Sequence, residues 1–68
     1  MIKHPTIKGI KRERFNRYDH VSVSTDGEII TVCAREGGET QSGWADLTPD
    51  GAAKLIDALQ AAIAECQP

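Results

Sequence analysis

A chain of 68 residues, 40% hydrophobic, with Phe15, Tyr18 and Trp44 as its aromatic side chains, has material for one small domain and little more. No apolar run reaches membrane-spanning length and Lys3, His4 and Lys8 interrupt any signal-peptide core, while two cysteines, Cys33 and Cys66, are too few for a secreted disulfide scaffold. The net charge of −2 conceals an asymmetry: residues 1–18 carry six Lys or Arg against Glu13, whereas residues 19–68 carry two against nine Asp or Glu. A cytoplasmic protein with reduced thiols is therefore expected, and a basic segment on an acidic body can bind an anionic partner or its own neighbour.

His4-Pro5 reads as extended chain. Thr6 to Ile10 fits a strand with Gly9 as a bulge; residues 1–14 are otherwise a mobile basic arm. Phe15 shares the parity of Val21 and Val23, so the first long strand is expected to begin near it. Asp26-Gly27 then predicts a two-residue hairpin turn, which pairs Val23 with Ile30, Val21 with Val32 and His20 with Cys33. Gly37-Gly38 predicts a second turn; its tight form would oppose Glu36 and Glu39, so a longer loop is an alternative. With the tight loop Ile30 faces Ala45 and Thr31 faces Trp44, leaving Gly43, Ala45 and Leu47 on the core face.

Thr48 as N-cap, Pro49 at the first helical position and Asp50 in the first turn mark a helix start. Ala52, Leu55, Ile56, Leu59, Ala62, Ile63 and Cys66 recur on one stripe, which predicts an amphipathic helix over roughly 49–67. The expected fold class is α+β: a single domain over 1–68, with an antiparallel meander of three or four strands and this helix packed on one face.

In that register the opposite face carries Tyr18, His20, Ile29, Thr31, Cys33, Arg35 and Trp44. Tyr18, Arg35, Trp44 and Ile29 are the candidate partner-binding residues, because Trp, Tyr and Arg dominate binding hot spots. The ordinary alternative is that the N-terminal segment covers this face, or that a bulge turns Trp44 inward. A second candidate set is Lys11, Arg12, Arg14, Phe15, Arg17 and Tyr18, since cations that follow phosphates interleaved with rings that stack on bases suit a single-stranded nucleic acid. The same pattern also fits a charged edge strand protected from aggregation.

His4, His20, Cys33 and Cys66 show no metal-ligand spacing, and no nucleophile or phosphate-cradling motif occurs. No metal, cofactor or enzymatic activity is expected. The order of strands, Trp44, and then Leu47-Thr48-Pro49 opening a terminal helix loosely resembles the PC4-like single-strand DNA-binding coactivators over residues 15–66. That resemblance implies a curved antiparallel sheet, single-strand binding and dimerisation through the helix. Size and style also match phage and mobile-element accessory proteins. The leading expectation is thus a small non-enzymatic interaction module, an inhibitor or adaptor that binds a host protein. The alternatives are a nucleic-acid binder of PC4-like architecture and a homodimer that completes a small core through its exposed sheet face.

Overall fold

A computed structural model describes residues 2–39 and 41–66. Its elements run β1 (Ile2–Lys3), β2 (Ile7–Arg12), β3 (Arg17–Thr25), β4 (Ile30–Arg35), β5 (Gly43–Leu47) and α1 (Pro49–Cys66). The α+β class is as expected, with five antiparallel strands in place of three or four. The basic N-terminal segment is strand: β1 and β2 both pair along one side of β3, and β4 and β5 follow on the other. Pro5 separates β1 from β2, and His4 N–H still donates to the Val23 carbonyl at 3.0 Å. A bulge between Lys8 and Lys11 bends β2 where Gly9 approaches Asp19. These interruptions roughen the exposed edge, which discourages strand addition by another chain.

Both β3–β4 and β4–β5 pair two residues away from the tight-hairpin registers. Val23 faces Val32, Val21 faces Ala34 and Ser22 faces Cys33. The Asp26-Gly27 loop spans four residues because local side chains satisfy it. Asp26 Oδ1 accepts from the Glu28 and Ile29 N–H groups, both at 2.9 Å. The Thr25 hydroxyl accepts from Gly27 N–H and donates to the Ile29 carbonyl. A two-residue turn would instead force Asp26 to positive φ; here only Gly27 takes that conformation in the loop, at 103°. Across β4–β5, Ile30 faces Leu47, Val32 faces Ala45 and Cys33 faces Trp44. The longer loop places Glu36 and Glu39 in a turn of their own rather than opposite each other in the ladder.

Phe15 does not start a strand. It lies in the turn between β2 and β3, which Asn16 closes at φ 54°. Its ring packs on Gly38 (φ 94°), where a Cβ would clash. Asp19 joins the same two turns: Arg12 donates to both carboxylate oxygens at 3.0 and 3.1 Å, and Gly37 N–H donates to Oδ1 at 2.7 Å. These contacts hold the Asp19 carboxyl below the usual carboxylate range, the Arg12 hydrogen bond first and the Gly37 N–H second.

Residue alternation gives the sheet two distinct faces. One carries Ile7, Val21, Val23, Ile30, Val32, Ala34, Ala45 and Leu47, and we call it the apolar face. The helix begins as the sequence dictates: Thr48 Oγ1 accepts from Gly51 N–H at 3.1 Å and Pro49 opens the first turn. The expected helix end at Gln67 lies outside the described residues. The helix meets the sheet at β5, on the apolar side. There Gly51, Lys54 and Leu55 border an open groove of about 580 Å³ with Val32, Ala34, Ala45 and Leu47.

Beyond that first contact the helix stripe is open. Ile56, Leu59 and Ile63 are 55%, 54% and 56% exposed, and no apolar side chain is buried among the described residues. Each large aliphatic group left in water forgoes roughly 1.5–3 kcal/mol of burial. The helix therefore covers less of the sheet than its length of about 27 Å permits.

Candidate functional site

The second face of the sheet is chemically unlike the first. Counting along the ladder, it presents Lys3, Lys8, Lys11, Tyr18, His20, Ser22, Ser24, Thr31, Cys33, Arg35, Trp44 and Asp46. The strands fix this set. Lys3 faces Ser24, Lys8 faces His20, and Lys11 faces Tyr18 across β1, β2 and β3. His20 faces Arg35 across β3 and β4, and Cys33 faces Trp44 across β4 and β5. Trp44 is 71% exposed and Tyr18 45% exposed. The Lys8 ammonium lies 5.2 Å from the centre of the Tyr18 ring, a cation–π contact. Asp46 is the one carboxylate at a described strand position of this face, and its Oδ1 accepts from the Thr31 hydroxyl at 2.7 Å.

The remaining acids lie elsewhere. Glu13 is in the β2–β3 turn; Asp26, Glu28, Glu36 and Glu39 occupy the two following loops; Asp50, Asp57 and Glu65 are on the helix; Asp19 is on the apolar face, paired with Arg12 at 2.9 Å. Charge is thus segregated in space as well as in sequence, and four cations share one open face with two exposed rings. Between Trp44 and Tyr18 lie two strand spacings and four residues of strand, a separation on the order of 16 Å. The rings therefore cannot sandwich one planar group. They suit an extended ligand with several stacking units.

Of the first candidate set, the fold brings Tyr18, Arg35 and Trp44 together on this face. It leaves Ile29 in the β3–β4 loop, off the strands and 37% exposed, because the longer loop absorbs it. Of the second set, Lys11 and Tyr18 are neighbours on the same face. Arg12 and Arg17 face each other on the apolar side, Arg12 committed to Asp19 and, at 3.9 Å, to Glu36. Arg14 and Phe15 sit in the β2–β3 turn with the guanidinium 5.5 Å from the ring centre. Lys3 and Lys8 were not among the candidates. Their parity is unreadable in the sequence, because Pro5 and the β2 bulge each reset the alternation.

Cys33 is half-buried beside Trp44, Cys66 is exposed at the helix end, and neither is in a disulfide. Among the described residues no helix is long and apolar enough to cross a membrane. Comparison with protein-family models, with curated proteins and with solved structures yields no match to this chain.

Proposed function

We propose that the chain is a non-catalytic binding module whose ligand, a single-stranded nucleic acid, lies across the face that carries Tyr18 and Trp44. The observation that supports this reading most is the coincidence on that face of Lys3, Lys8, Lys11 and Arg35 with two exposed rings, while the acids other than Asp46 lie on the helix, the loops and the other face. Phosphates give affinity to such cations without regard to sequence, and bases stack on rings about 16 Å apart only as part of a strand. The Ser22 hydroxyl on the same face adds a donor to sugar and phosphate oxygens. The absence of any nucleophile, general-base or phosphate-cradling motif supports a binding rather than a catalytic role.

The same face suits a protein ligand through Trp44, Tyr18 and Arg35, and one titration separates the two. A fluorescent oligothymidylate titrated at low salt should bind with quenching of Trp44. Four phosphate contacts should give a slope of log affinity against log salt of roughly −3. Absence of binding at low salt to single strands overturns the nucleic-acid reading and leaves the protein-ligand one.

A further inference from the structure

The isolated chain is too open to be a finished fold. Its accessible surface is 5770 Å², whereas a compact protein of 7.4 kDa exposes about 4,200 Å². The Cα radius of gyration is 13.6 Å, against about 11 Å for a compact chain of this length and about 14 Å for one twice as long. The molecule is a slab of 38 × 34 × 17 Å. The excess is about 1,600 Å², and exposed aliphatic side chains contribute to it on the apolar sheet face, where Ile2 and Ile7 are 64% and 61% exposed, and on the helix stripe at Ile56, Leu59 and Ile63.

We propose that a second copy of this chain covers these surfaces, the helix of each protomer lying along the apolar sheet face of the other. Three observations select a copy of itself as the occupant. Each chain offers one unpartnered sheet face and one unpartnered helix stripe, so a two-fold arrangement satisfies both at once. The lengths agree, since an 18-residue helix spans about 27 Å and the nine-residue β3 about 30 Å. The excess, taken over the whole chain, exceeds the roughly 800 Å² per partner that an ordinary stable interface buries, so a second copy has surface enough to cover.

Charge agrees as well. The helix carries Asp50, Asp57 and Glu65 against Lys54 and stands beside β5, while Arg12 and Arg17, on the apolar side, lie toward the opposite edge of the sheet. A helix arriving from a partner can bring its acids to that basic edge; the chain's own helix does not reach it. The core is then completed between two chains, and the two faces that carry Trp44 point outward, away from each other. This inference does not rest on the nucleic-acid reading.

Light scattering over a dilution series, combined with isotope-filtered NMR on an equal mixture of labelled and unlabelled chains, tests it. The expected result is a mass of about 15 kDa, twice the chain mass, with NOEs between chains from Leu59 and Ile63 to Val21, Val23 or Ile30. A folded monomer at every concentration overturns the proposal. So does a dimer whose contacts between chains arise from Trp44 and Tyr18, or one in which Leu59 contacts only its own sheet. Because the wild-type chain is used, none of these outcomes depends on a variant that fails to fold. An oligonucleotide titration of the same sample reports on the other face separately.

Discussion

The two faces of the sheet have the same backbone and opposite chemistry. On one side Val21, Val23, Ile30, Val32 and Leu47 form a continuous aliphatic surface, to which the helix adds a stripe of Ile56, Leu59 and Ile63. On the other, Lys3, Lys8, Lys11 and Arg35 surround Tyr18 and Trp44. Aliphatic surface left in water is a cost that folding or assembly has to recover, whereas an amphipathic ring or an ammonium group tolerates solvent until a ligand arrives. Exposure thus has different meanings on the two sides. On the proposals made above, exposure marks an incomplete core at Leu59 and a binding group held ready at Trp44.

Substitution in the helix stripe should break this comparison most severely. If a second copy buries Leu59 and Ile63, replacing either by Ala should cost roughly 2–5 kcal/mol per chain and shift the protein toward a monomer. Solvent-exposed positions change stability by only about 0.5 kcal/mol, so denaturant unfolding distinguishes the two cases. Wild-type stability should also rise with protein concentration, as it does for any fold completed by assembly.

The next largest effect belongs to the other face. Trp44→Ala should weaken single-strand binding by about 1–3 kcal/mol, roughly 5- to 150-fold, while stability changes by no more than about 0.5 kcal/mol. Anisotropy with a labelled oligothymidylate and denaturant unfolding of the same variant check both halves. Lys8→Ala should lower the magnitude of the salt slope by about 0.7, since one phosphate contact is removed.

The smallest effect concerns the pins between the turns. Arg12 and Gly37 N–H lower the Asp19 pKa, and the Glu28 and Ile29 N–H groups lower that of Asp26. A carboxyl depressed on folding stabilises the folded state above its unfolded pKa, near 3.8, and that contribution is lost as pH falls through the folded value. Acid should therefore loosen both turns below about pH 4. Asp19→Asn should reduce that acid sensitivity and leave the neutral-pH fold in place, as a melting series against pH would show.

Much of this was legible in the sequence, for specific reasons. The face assignments survive for the strand residues of β3, β4 and β5, though not for Ile29, which the longer loop takes off the sheet; both hairpin registers moved by two residues, and because side chains alternate with period two a shift of two preserves sides. Thr48, Pro49 and the helical stripe announced the helix, since a cap is a local interaction. The shift itself was hidden: Asp26 and Thr25 saturate the loop's N–H groups in a way that the Asp-Gly signal alone does not reveal. Lys3 and Lys8 were missed because two irregularities in the edge strand reset its parity. The stripe announced an apolar helix face but not which surface would cover it. That depends on tertiary geometry, here a helix that leaves the sheet after its first contact with β5.

The division of labour between the faces is tested most directly by a two-dimensional amide NMR titration of the labelled protein with a short oligothymidylate. The account predicts shift changes at Lys8, Lys11, Tyr18, Arg35 and Trp44, with the signals of Val23, Ile30, Leu59 and Ile63 unmoved. Shifts concentrated on the apolar face and helix stripe would contradict it, as would a spectrum unchanged at saturating oligonucleotide.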